Sequence, residues 1–205
     1  ESKLPQATEV WTGFKALTNY SSSISVTILF TIIVITLVLG TDLTQNLYKN
    51  SLAYGVSRTS YYFAKSAVVL TIALFQFLVS YGLVFLIATL YNGLGTMPEH
   101  FLAHFGLTVL IQFLCTLAWV SIISFLLYAS QSITLAFVGY FIGNILLSLP
   151  ALFFKDIDIF HFINLEFQYS LVQSTTATTN TLSIALGFIL VFGFLGLATF
   201  KHKDL

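Results

Sequence analysis

Charge is what this 205-residue chain has least of: Asp, Glu, Lys and Arg together make up 8% of it. Soluble domains carry about 25%, so these residues could not build a water-facing surface, and apolar residues make up 57% instead. Cysteine occurs once, as Cys115, which excludes a disulfide or a thiolate metal site within this chain. Acids and bases balance at eight each, so no basic excess points to nucleic acid. No Gly-x-x-x-x-Gly-Lys-Ser/Thr loop is present, and ATP binding of that kind is excluded. The N-terminal residues show no basic region followed by a short apolar core and a cleavage site, so they do not read as a signal peptide.

What is present is a series of apolar stretches, each of about 20 residues or more, the length a helix needs to cross a hydrocarbon core of about 30 Å. Barrel strands would be about 10 residues with alternating polarity. Five spans are expected, over residues 22–40, 66–90, 101–128, 133–153 and 181–200. The fold class is therefore an all-α polytopic membrane bundle, one transmembrane domain over residues 1–205. Between the spans lie a polar segment at 41–65, a Gly- and Pro-bearing turn at 91–98 and an acidic segment at 155–180.

Alternating the polar segments places Lys49, Arg58, Lys65, Lys201 and Lys203 on one side. Lys3, Lys15 and Lys155 fall on the other, with Glu1, Glu9, Glu99, Asp156, Asp158 and Glu166. The positive-inside rule makes the first side, and with it the C-terminus, cytoplasmic. Glu1 then lies outside without an export signal, which leads us to expect a preceding span and six spans in the full protein.

The predicted spans hold no Asp, Glu, Lys or Arg. Proton-coupled carriers bind their driving ion on intramembrane carboxylates, so their chemistry is disfavoured here. Uphill movement would need energy from a partner, and segment 41–65 is the internal segment large enough to dock one. Thr41 or Asp42 can cap a short helix over Leu43 to Tyr54, with Leu43, Leu47 and Tyr54 on one face. Gly55 ends that helix, and Ser57 caps the next span. An interfacial loop whose basic residues touch lipid headgroups fits the same residues.

The run Leu52-Ala53-Tyr54-Gly55-Val56-Ser57-Arg58, followed by Tyr61-Tyr62-Phe63-Ala64-Lys65, resembles the first cytoplasmic loop of ABC-2 type transporter permeases. The ending Phe200-Lys201-His202-Lys203-Asp204-Leu205 resembles that family's C-terminal pattern, and the span order fits along the whole chain. The resemblance implies the permease subunit of an ABC exporter of the type V kind, in a bacterial cell membrane. ATP and Mg would sit on separate ATPase subunits, and no cofactor on this chain. Two permeases, identical or paralogous, would pair. Asp42, Leu43, Leu47, Lys49, Tyr54, Gly55 and Arg58 would couple to the ATPase. A re-entrant outer element would fall at about 157–173, where Phe160, Phe162, Phe167 and Tyr169 suit partial insertion. The cargo class is hydrophobic or amphipathic: a peptide such as a bacteriocin or toxin, a drug, or a lipid-linked molecule.

Within the fourth span, Gly139 and Gly143 form a small-xxx-small pattern that lets helices approach closely. It serves a dimer seam, a substrate path or packing within one subunit. Asn144 is a polar group at membrane depth, and with Tyr140, Phe141 and Phe30 it makes up the candidate cavity lining. A rival reading is an outer-face membrane enzyme using Glu99, His100, His104, Asp156, Asp158, His161 and Glu166. The order Glu-His-x-x-x-His is not that of zinc hydrolases, and no metal site is assigned. A third reading is a non-transporting immunity or assembly subunit.

Overall fold

Backbone polar groups inside hydrocarbon must find partners within the protein, and a helix supplies them within one segment. The computed structural model describes residues 10–154, Ile163, Leu165 and 175–202, with side chains of the last segment from Thr179 onward. Among the described residues every regular element is a helix. They are α1 (Gly13–Ser22), α2 (Ser25–Thr44), α3 (Leu47–Ala53), α4 (Arg58–Asn92), α5 (Phe101–Ser130), α6 (Ile133–Phe153) and α7 (Thr175–His202). Helices α2, α4, α5, α6 and α7 are long and apolar enough to cross a membrane, as the sequence predicts. The expected re-entrant element at 157–173 lies outside the described residues.

The bundle is organised around α2 and α5. Half of the most apolar stretch of α2 is buried inside the chain, against 11% for α6 and 17% for α7. Ile28, Ile32, Ile35 and Leu39 form the inward stripe of α2, at the three- and four-residue steps of one helix face. On α5, Ile111, Cys115, Ala118, Trp119, Ile123 and Leu127 answer it. A Cβ on Gly40 would come within 2.5 Å of Ile133 Cγ1, so the α2 backbone packs directly on the Ile133 side chain at the foot of α6. The glycine pair of α6 is used inside the chain: Gly139 faces the Leu126 side chain and Gly143 faces the Trp119 ring. Of the three roles open to that pattern, internal packing is the one these contacts fill. Helix α6 also carries Pro150 in its last turn.

Helix α1 precedes the first expected span. Its orphan first-turn N–H groups are satisfied by the α4–α5 loop: Gly13 N donates to Gly93 O at 3.0 Å and Phe14 N to Leu94 O at 3.3 Å. That loop turns through Gly93 and Gly95, at φ +75° and +77°, a left-handed geometry that glycine adopts freely. The Phe14 ring packs on Phe85 and Phe101. The other end of α1 is fixed by a polar knot. Gln112, fully buried on α5, donates to Ser21 O at 2.8 Å and accepts from the Tyr81 hydroxyl of α4. The Tyr20 and Thr27 hydroxyls pair beside it.

Gln112→Leu removes both bonds and leaves a buried hydroxyl and a buried carbonyl without partners. The expected cost is about 1–3 kcal/mol, read as a lower midpoint in thermal unfolding of the detergent-purified protein and as faster proteolysis around α1. An unchanged midpoint would show that α1 is held by its rings and loop contacts alone.

Candidate functional site

The polar segment 41–65 folds differently from the single helix expected over 43–54. Helix α2 runs on through Thr41, Asp42 and Leu43 to Thr44, so neither Thr41 nor Asp42 caps a new helix. The chain breaks at Gln45–Asn46, and Asn46 takes a left-handed conformation at φ 55° with no side-chain cap bond. Helix α3 then spans only Leu47–Ala53. Leu43 is consequently a buried residue of the last turn of α2, while Leu47 is 42% and Tyr54 90% exposed; the three do not share a face. The later signals hold. Gly55, at φ +88°, follows the end of α3 in the conformation glycine tolerates. Ser57 accepts from Ser60 N at 3.1 Å and caps α4, which therefore begins at Arg58, well before the apolar residues do.

The break at Asn46 rotates Tyr48 inward, where it is 4% exposed. Its ring joins a cluster gathered from four helices. Phe200 of α7 lies 5.6 Å from Tyr48, 5.6 Å from Tyr61 of α4 and 5.1 Å from Tyr128 of α5, centroid to centroid. Tyr62 approaches Tyr128 at 5.0 Å, and its hydroxyl donates to Gly193 O of α7 at 2.7 Å. Gln131, at the α5–α6 turn, donates to the Tyr48 hydroxyl at 3.1 Å. The sequence pattern puts Leu43, Leu47 and Tyr54 on one face and assigns no packing role to Tyr48, Tyr61, Tyr62, Tyr128 or Phe200. The left-handed residue that shifts the helical phase has no strong signature in Asn46 alone.

The charged residues around this cluster are turned to structural partners. Asp42 forms an ion pair with Lys65 and accepts from the Tyr61 hydroxyl at 3.3 Å. Lys65 also lies over the Tyr61 ring, 5.6 Å from its centroid. The Arg58 guanidinium donates to the carbonyls of Phe200 and Lys201 at 3.3 and 2.9 Å. Those carbonyls are among the last of α7, which an ended helix leaves without intrahelical donors, and a cation there also suits the helix dipole. Lys49 is exposed on α3. The face that points away from the bundle is thus Leu47, Lys49, Tyr54, Gly55 and Val56, an exposed knuckle on a fastened base.

Comparisons with protein-family models, with curated proteins and with solved structures find no match to this chain. Function therefore rests on the residues themselves.

The other predicted residues are placed as follows. Tyr140 is 7% exposed on α6 and packs edge-on to Trp119 at 4.9 Å. Phe141 adjoins it with its own ring 48% exposed. Asn144 is half-buried one turn further and accepts from the Ser148 hydroxyl. Phe30, 57% exposed on α2, makes no ring contact among the described residues. On the opposite side of the molecule, Glu99 and His104 line a small cleft of about 250 Å³ with Thr18, Ser21 and Thr108. His100 stands at the N-cap of α5 in a left-handed conformation. Asp156, Asp158, His161 and Glu166 lie outside the described residues. No group of three metal-ligating side chains forms among the described residues.

Phe200→Ala would empty the centre of the aromatic cluster. A loss of roughly 3 kcal/mol is expected for so large a buried ring. Tryptic cleavage at Lys49 and Arg58 should speed up before the rest of the bundle melts. Cleavage at those sites that stays in step with global unfolding would show that α3 is not held through Phe200.

Proposed function

We propose that this chain is the membrane-spanning permease subunit of an ABC-2 type exporter, driven by separate ATPase subunits that dock on the α3–α4 knuckle. The observation that carries the reading is that knuckle. A seven-residue helix and the turn that follows it expose Leu47, Tyr54 and Val56 outward, while Tyr48 and its ring neighbours fasten the helix to α4, α5 and α7. An apolar and aromatic tip on an otherwise polar segment is what a protein partner needs for an anchor. A base shared by three long helices would carry a push from that partner into all of them at once.

The resemblance of residues 52–65 and 200–205 to the family supports the same assignment. In it the knuckle, Arg58 and the end of α7 are cytoplasmic, in agreement with the charge bias of the loops. Hydrolysis by the partner would move α3, and the cluster around Phe200 would pass the motion on. The bundle would then alternate access for a hydrophobic or amphipathic cargo. A charge-free set of spans disfavours ionic cargo, because an ion at membrane depth calls for polar or charged partners there. Two permease units would pair in the bilayer of the cell membrane.

The test is a mild-detergent pull-down of the full-length protein with ATPase activity measured on the eluate. Co-purifying ATPase activity is expected. It should fall by at least about thirtyfold in the Leu47→Asp/Tyr54→Asp double variant, the loss that corresponds to an interface anchor of about 2 kcal/mol or more. Both side chains are exposed, so the bundle should fold unchanged. An eluate without ATPase activity would overturn the exporter reading and direct attention to the cleft at Glu99 and His104.

A further inference from the structure

A second feature lies outside the knuckle, on the flank of the bundle. Helices α4, α5 and α7 enclose a groove of about 410 Å³, within the range of about 300–1,000 Å³ usual for small-ligand sites. It is lined by Phe63, Ser66, Leu70, Ser121, Leu190 and Phe194, among others. Phe63, Leu70, Leu190 and Phe194 are 59%, 45%, 71% and 70% exposed, so the groove opens sideways, where a membrane-embedded bundle meets lipid. Gly193 forms part of its floor, and a Cβ there would meet nothing within 4 Å. The groove is thus a largely apolar slot with the hydroxyls of Ser66, Ser121 and Ser124 in its lining and an open side.

Its end nearest the knuckle is cationic. On α7 the lining positions Leu190, Phe194 and Leu197 step by three and four residues, and the next step on that face is Lys201, which is exposed. On α4 the lining residue Tyr62 lies one turn after Arg58, whose guanidinium is 2.9 Å from the Lys201 carbonyl. Two basic residues therefore occupy helix positions one turn beyond the lining residues Tyr62 and Leu197. Apolar slot and paired cations match the two halves of one molecule.

We propose that this groove binds an anionic glycerophospholipid of the leaflet nearest Arg58 and Lys201. One acyl chain lies along α7 over Gly193, and the phosphate meets the exposed Lys201 ammonium, with the positive charge of Arg58, which caps α7, beside it. Basic side chains at helix ends select anionic headgroups. The site rests on the helices being membrane spans and does not depend on an ATPase partner.

The experiment uses delipidated, detergent-purified full-length protein, with dioleoylphosphatidylglycerol or dioleoylphosphatidylcholine added back and adducts counted by native mass spectrometry. One phosphatidylglycerol is expected to be retained, about tenfold more strongly than phosphatidylcholine. Lys201→Glu should abolish that preference while retaining some of either lipid. Gly193→Leu, whose Cβ would meet nothing within 4 Å, should fill the slot and remove retention of both, with helicity by circular dichroism unchanged. Equal retention of the two lipids by the unaltered protein would overturn the headgroup assignment. Retention that survives Gly193→Leu would overturn the groove as the site. Should Gly193→Leu lose helicity, Leu190→Trp, on the same lining but exposed, takes its place with the same two outcomes.

Discussion

The rings around Phe200 hold together parts of the molecule that the chain itself keeps far apart. Tyr48 belongs to a short helix between two spans, Tyr61 to the start of α4, Tyr128 to the end of α5 and Phe200 to the end of α7. Among the described residues no backbone hydrogen bond joins long helices to one another, so side chains fix their relative positions there. In hydrocarbon, apolar side chains gain little by leaving lipid for protein. Aromatic geometry and shape complementarity then carry what the hydrophobic effect supplies in water. Arg58 and the pair Asp42–Lys65 surround the rings and pin the same helix ends. Remove the rings and the charged groups have nothing to brace.

At the far end the same problem is solved with hydrogen bonds. Gln112 sits fully buried, and its amide works in both directions, toward Tyr81 and toward the Ser21 carbonyl. A buried amide with both ends engaged is far more selective than a leucine would be, because only one arrangement satisfies it. Between these two anchored ends, hydroxyls such as Thr31, Thr116 and Ser121 fold back on the carbonyl four residues earlier, so they ask nothing of neighbouring helices.

Hydropathy and length sufficed to find the spans, since each needs only a run of apolar residues. The span expected at 133–153 coincides with α6, and Gly55 and Ser57 mark the turn into α4 where the sequence puts it. The misses have physical causes. Helix α1 is stabilised by carbonyls of a loop some eighty residues away, which no local pattern encodes. Helix α2 continues through Asp42 because Lys65 and Tyr61 neutralise and bond its carboxylate; the reading of Asp42 as a cap saw only the neighbouring residues. The single left-handed residue Asn46 then sets Tyr48 as the side chain of α3 that faces inward. The knuckle was legible as a place in the sequence, and its fastening was not.

The length of α4 has a mechanical consequence. Thirty-five residues make a rod of about 52 Å, some 20 Å more than a hydrocarbon core requires. It contains no proline, and its stretch beyond the core carries Arg58, Tyr61, Tyr62 and Lys65. A rigid rod pivoting near its middle by about 10° sweeps either tip through about 4–5 Å, close to one helical turn. Because Tyr62 and Arg58 grip α7 near the tip, such a swing would be felt first as a shear between α4 and α7. The long helix thus has the proportions of a lever, and a swing of that kind would displace most the flank where its tip lies beside α7.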